Sequence, residues 1–169
     1  MSCWISKARF FQKSIRSLLP VFGRLFSKIV LFSTLALSAQ WVHASEFRSV
    51  KGQSANIRVA PNTKSEVAWE LTQGYPLAVV KKKGNWLQVK DIDGVLGWVY
   101  KPITGTAPHH LVKVKTANLR AGAGTQHKVV AKLDKYDVVK TIDKKNGWAK
   151  VRTSAGTQGW VSQKLIWGW

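Results

Sequence analysis

The sequence repeats itself at a spacing of 62 residues, and this limits the fold more than any other feature of the chain. Residues 55–99 lie on 117–161 without a gap, and 14 of the 45 positions are identical. Ala55, Asn56, Ile57 and Arg58 fall on Ala117, Asn118, Leu119 and Arg120. Thr63 falls on Thr125, Val67 on Val129 and Leu71 on Leu133. Lys82 and Lys83 fall on Lys144 and Lys145, Trp86 on Trp148, Val89 on Val151, and Gly94 on Gly156. The run Gly97-Trp98-Val99 falls on Gly159-Trp160-Val161. The unit is therefore about 60 residues long and occurs twice.

Each unit reads as short strands between turn signals. In the second copy an extended segment "TANLRA" precedes a loop at 122–126, and strands follow at 129–133, 137–142 and 148–153. Asn146-Gly147 marks a tight hairpin, because both residues tolerate positive φ. The first copy places Gly84-Asn85 and Asp93-Gly94 at the matching turns. Alternation, β-branched residues and closely spaced turns predict an all-β protein of two tandem small β-barrels. The expected domains are 46–103 and 111–169, with 104–110 as a Pro-, Gly- and Thr-containing linker. A domain of about 60 residues has little core to spare, so closure of its sheet also serves to remove exposed edges.

Residues 1–44 follow a different logic. They carry Lys7, Arg9, Lys13, Arg16, Arg24 and Lys28 with no acidic residue, then an uncharged apolar stretch, then Val42-His43-Ala44. Basic, apolar and small in that order is the pattern of a secretory signal peptide, cut after Ala44. An uncleaved N-terminal anchor in the inner membrane is the competing reading. Cys3 precedes the apolar core, so it is not placed as a lipid-anchored cysteine. Beyond residue 44 the chain holds no cysteine, and its 21 basic against 8 acidic residues leave a net charge of +13. That balance favours anionic partners and says little about fold.

The order A-N-[IL]-R, loop, V-x-x-x-L, W-x-x-V, G-x-x-G-W-V resembles the bacterial SH3 domain family. "ANLRAGAGT" and "GWAKVRTSAGTQGWVSQKL" carry the likeness in the second copy. The first copy departs from it at Pro61-Asn62 and Tyr75-Pro76. The resemblance implies an SH3-like barrel per copy and an exported module that binds cell-wall or other envelope ligands.

Residues shared by both copies are candidates for keeping the fold: Asn56, Arg58 and Gly97 in one, Asn118, Arg120 and Gly159 in the other. The arginines are expected to close a loop through hydrogen bonds, and the glycines to make room for a crossing strand. The repeated Trp86, Trp98, Trp148 and Trp160 either cap the core or form a flat aromatic platform for sugar or peptide. Residues of one copy only point more directly to a ligand. Trp69, Tyr75 and Tyr100 face Ala131, Asp137 and Ser162 in the alignment, and Trp167 and Trp169 lie beyond the repeat. This last cluster is either an exposed interaction site or a filling for the seam between the modules. Lys81, Lys82, Lys83, Lys144 and Lys145 flank the hairpin turns, as solvated charge or as anion contacts.

Catalysis fares badly on this sequence. His109 and His110 fall in the expected linker, His127 in a loop, and no HExxH or other metal-ligand spacing occurs. The expectation is a non-catalytic binding protein, periplasmic or secreted, with no metal and no cofactor. Its partner would be peptidoglycan or another anionic envelope polymer. The alternative is a protein-interaction adaptor that docks on an envelope protein. Nucleic acid is disfavoured for an exported chain, and a membrane would be met only through the N-terminal segment if uncleaved.

Overall fold

A computed structural model describes residues 46–169, and the signal-peptide reading, its cleavage site and Cys3 lie outside the described residues. The first copy forms β1 (Phe47–Val50), β2 (Ser54–Arg58), β3 (Val67–Thr72), β4 (Pro76–Lys83), β5 (Trp86–Lys90), β6 (Leu96–Tyr100), a 3-10 turn (Lys101–Ile103) and β7 (Thr104–Gly105). The second copy forms β8 (His109–Val112), β9 (Thr116–Arg120), β10 (Val129–Asp134), β11 (Val138–Lys145), β12 (Trp148–Arg152), β13 (Gln158–Ser162), a 3-10 turn (Gln163–Leu165) and β14 (Ile166–Gly168). Every element of the second copy starts 62 residues after its counterpart. The structural repeat is longer than the sequence repeat at both ends. β1 and β8, and β7 and β14, occupy equivalent places with little identity between them, since strand pairing asks only for backbone hydrogen bonds.

Each copy is one seven-stranded antiparallel sheet, in the order β3-β2-β6-β5-β4-β1-β7 and its equivalent. The all-β class is as expected, but the expected closed barrel is not: the sheets remain open. β2 meets β6 at a single residue pair, Arg58↔Trp98, so the sheet turns a corner there and curls over one core. Closing the ring would need a ladder between β3 and β7, and β7 is only two residues long. The two-residue β7 edge also offers little to a passing strand.

Period-two alternation sets the inner faces. β5 and β12 both run half-buried, buried, half-buried, buried, exposed, which turns Leu87 and Val89, or Ala149 and Val151, inward. The first core gathers Val50, Ile57, Leu71, Leu77, Leu87, Val89 and Val99 from six strands. The second gathers Val112, Leu119, Leu133, Val139, Val151, Val161 and Ile166. Each fully buried aliphatic side chain contributes about 1.5–3 kcal/mol, which these cysteine-free modules rely on entirely. At the β11–β12 hairpin Asn146 (φ 47°) and Gly147 (φ 78°) both take positive φ, as a type I′ turn requires. β4 and β11 bulge at the same place, after Val79 and Thr141. The extra residue has no partner and turns outward, leaving Val80 55% and Ile142 45% exposed.

The segment read as a linker is mostly strand. Thr104 and Gly105 complete the first sheet and His109 and His110 open β8 of the second, so only 106–108 lie between the sheets. His110 is 3% exposed, because β8 is paired on both sides, by β11 and β14.

Candidate functional site

The repeated arginines act as loop clasps. Arg58 Nη1 donates to the Ser65 main-chain oxygen, and Arg120 Nη1 donates to that of His127 at 2.8 Å. Each bond spans seven residues and shuts the loop after β2 or β9. The glycines sit under a side chain. A Cβ on Gly97 would collide with Ile57 and come 3.1 Å from Trp69 Cη2. One on Gly159 would lie 2.7 Å from Leu119 Cγ and 2.8 Å from the Arg120 oxygen. Asn56 and Asn118 differ from this group: both are exposed on the outer face of their strands.

That outer face holds a groove of about 270 Å³ in the first module, lined by Asn56, Arg58, Thr63, Glu70, Trp86 and Tyr100. Trp86 and Tyr100 are direct cross-strand partners of β5 and β6, with ring centroids 5.5 Å apart and planes tilted by 55°. Across β2 and β3, Asn56 faces Glu70. The groove thus combines an aromatic wall, a guanidinium, an amide and a carboxylate. Glu70 and Thr63 were not singled out from sequence; the Asn56↔Glu70 pairing was the signal that could have found Glu70. The second module does not reproduce the site. Trp148 pairs with Ser162 in place of a tyrosine, and Lys132 stands where Glu70 stood. Trp98 and Trp160 also lie on the outer face, half-buried, each directly opposite the clasping arginine.

Trp69 and Tyr75 prove to be packing residues of the first module. Both are half-buried against its core, and the Trp69 indole N–H is buried with no hydrogen-bond partner. Burial pushes the Tyr75 phenol up to about 12, helped by Asp91 and Asp93. Being absent from the second copy does not free a residue from the fold, because the two cores are filled differently. Where Trp69 fills space in one, the other has Ala131 and draws on Leu165 and Ile166.

Trp167 and Trp169 lie in the seam. The Phe47 ring of β1 meets Trp167 edge-on at 5.2 Å and Trp169 at 5.6 Å. The Trp169 main-chain oxygen accepts from His110 Nε2 at 2.6 Å and from Lys144 Nζ. Since that oxygen can only accept, Nε2 carries the proton and Nδ1 accepts from the Thr141 hydroxyl. Burial first, then the nearby Lys144 and His109, push the His110 imidazole down to about 4. A further contact joins the modules, with Tyr136 OH 3.3 Å from both Asp93 oxygens, and Ser49 Oγ holds the connecting segment to the first module by donating to the Ala107 oxygen at 2.9 Å.

Among the hairpin lysines, Lys82 pairs with Glu46, whose carboxyl it holds below the usual carboxylate range, and Lys144 is held by Trp169. Lys81, Lys83 and Lys145 are exposed. Among the described residues no group of three or more His, Cys, Asp and Glu could hold a metal ion, and no helix is long and apolar enough to cross a membrane.

Two profiles, each described as Bacterial SH3 domain, match residues 51–104 and 115–166. A curated protein of Bacillus subtilis (strain 168), YrvJ, named provisionally as an N-acetylmuramoyl-L-alanine amidase, is 25% identical over 122 residues. That match covers 66% of this chain and 23% of YrvJ, so the chain spans about a quarter of the relative's length. Among solved structures, NlpC1 of Trichomonas vaginalis is 12% identical with a TM-score of 0.34, over 72% of this chain and 45% of that one. An NlpC/P60 family protein of Bacillus cereus ATCC 10987 is 15% identical with a TM-score of 0.34, over 72% and 55%.

Proposed function

The chain belongs to the bacterial SH3 domain family, with two such domains in tandem, and on that premise we propose that it is an exported, non-catalytic binding protein of the cell envelope. Its modules attach to peptidoglycan or another anionic envelope polymer. The observation that carries this reading is the first module's groove. The Trp86–Tyr100 pair offers apolar faces to a sugar ring or peptide stem, while Asn56, Arg58 and Glu70 supply directed polar contacts. Such a mix of aromatic surface with a few placed polar groups is what a small-ligand site needs. The amidase name carried by YrvJ adds a wall context, through a region similar to this chain. His110 is buried and engaged by the Thr141 hydroxyl and the Trp169 oxygen, which favours a structural role for it over a catalytic one. The adaptor reading ranks second, and Trp167 and Trp169, which would be candidates for a docking surface, are engaged by Phe47.

Sedimentation of the full-length chain with purified sacculi tests the proposal. Wild type is expected in the pellet and Trp86→Ala largely in the supernatant. If the wild-type chain stays in the supernatant, or if Trp86→Ala pellets as well as wild type, the groove is not the binding site.

A further inference from the structure

Where the modules meet, they enclose a cleft that shares no lining residue with the Trp86 groove. It holds about 450 Å³, within the size range of small-ligand sites, and continues into a second hollow of about 510 Å³. The two share Gln73, Val138, Thr153 and Ser154, so they form one trough. Its walls come from both copies: Lys51 and Gln73 from the first, Lys140, Arg152, Thr153 and Ser154 from the second. The trough is fixed by packing. At its floor Gly74 (φ 79°) comes so near His109 and Val138 that a Cβ there would lie 2.9 Å from the imidazole Cδ2. Its counterpart Tyr136 takes the same left-handed turn (φ 71°) and reaches toward Asp93.

The trough is net positive, with Lys51, Lys140 and Arg152 against one carboxylate, Asp137. None of the residues lining its larger-walled half is acidic. In the continuation, Asp137 has Oδ2 engaged by the Asp134 N–H at 2.8 Å. The ion pairs among the described residues involve Glu46, Arg48 and Lys82, not these cations. Lys140 and Arg152 stand directly opposite each other on β11 and β12. Like charges in that register are destabilising, and the equivalent pair in the first module is Ala78↔Lys90, with one charge. Gln158, with its amide turned to satisfy both groups, accepts from Arg152 Nη2 at 2.9 Å and Nε at 3.2 Å, which presets the guanidinium plane. A preset fork, two point charges and neighbouring hydroxyls suit a tetrahedral oxyanion.

We infer that the inter-module cleft binds phosphate groups of an extended phosphodiester polymer, with Lys51 of one module and Lys140 and Arg152 of the other closing on it. The inference rests on the envelope-polymer reading and names its anionic ligand. A trough suits an extended chain. A lipid surface is a poorer match, because of the exposed large apolar side chains only Tyr136 lines it. Neither module alone holds the site.

The test is fluorescence anisotropy of a labelled poly(glycerol phosphate) oligomer with the full-length chain. Lys140→Gln/Arg152→Gln should weaken binding about tenfold, the upper range for two exposed charge contacts. A matched pair outside the cleft, Lys81→Gln/Lys83→Gln, should change it less than about twofold. Matching unfolding midpoints would establish that both variants are folded, and Lys51→Gln gives a third reading from the opposite wall. Equal losses in the two pairs would mean diffuse charge attraction and overturn the inference, as would no loss in the cleft pair. Vesicles of phosphatidylglycerol bound more tightly than the oligomer would replace the polymer by a lipid surface. Sacculi stripped of phosphodiester polymer separate the two readings. If the chain binds them yet ignores the oligomer, the cleft fails and the envelope function stands; if it binds neither stripped nor native sacculi, the function itself fails.

Discussion

Phe47, in the first strand of the first module, meets Trp167, in the last strand of the second, edge to face with ring centroids 5.2 Å apart. This contact joins positions 120 residues apart and makes the tandem pair more than two beads on a string. Phe47 is half-buried, so Phe47→Ala should cost about 1–2 kcal/mol, below the range for a fully buried ring. Calorimetry should show one unfolding transition dividing into two. Limited proteolysis of the variant should cut first within 106–108, the stretch between the sheets. A single unchanged transition would mean that the seam does not couple the modules.

Gly97 and Gly159 allow a sharper test. Added methyl groups at buried, crowded positions cost about 1–3 kcal/mol. Both Gly97→Ala and Gly159→Ala should reach the upper part of that range: the Gly97 Cβ would collide with the branch methyl of Ile57, a fully buried side chain stiff at χ1, and the Gly159 Cβ would press on Leu119 and on the Arg120 main-chain oxygen at 2.8 Å. Urea midpoints of the two variants measure the cost, and a loss of less than about 1 kcal/mol in either would contradict this account.

Stability should fall in mild acid through His110. Its folded value of about 4 lies below the ordinary 6.5, so the unfolded chain binds the proton more readily. The neutral histidine's contribution is complete above about pH 6.5 and is lost as pH falls toward 4, on the order of 2–3 kcal/mol after allowance for screening. Denaturation of wild type and His110→Gln at pH 7.5 and 4.5 checks it. The variant should lose less stability over that interval than wild type does.

Binding to sacculi should be unequal between modules. Trp86 has Tyr100 beside it, whereas Trp148 has Ser162. Trp86→Ala should weaken binding about tenfold or more, as expected for loss of part of a stacked aromatic face. Trp148→Ala should weaken it less than about threefold. Equal effects would shift the site to features that both modules share.

Export carries its own test. The basic, apolar, small order of residues 1–44 predicts that the chain recovered from the envelope begins at Ser45. Intact mass of the protein extracted from cells measures this. Full-length chain found only in the membrane fraction would favour the uncleaved anchor.

Much of the fold was written locally. The 62-residue spacing, the hairpin at Asn146-Gly147 and the inward turn of Val89 and Val151 follow from identity and alternation within a few residues. So does the outward turn of Trp86, Trp98, Trp148 and Trp160, because successive side chains on a strand point to opposite faces whatever lies beyond. The loop clasp of Arg58 and Arg120 was legible for the same reason, since each reaches only seven residues ahead. What lay beyond was decided by approach in space. Trp69 became packing because the curl of the sheet laid it over Gly97, 28 positions later. Trp167 and Trp169 were covered because Phe47 came to meet them, and His110 left the linker because β14 and β11 flanked it. Lys51, Lys140 and Arg152 share a cleft only because the modules dock. A sequence period records which way a side chain faces its own strand; it holds no record of what another segment brings against it. Burial and electrostatic fields depend on that second quantity, and only the tertiary structure supplies it.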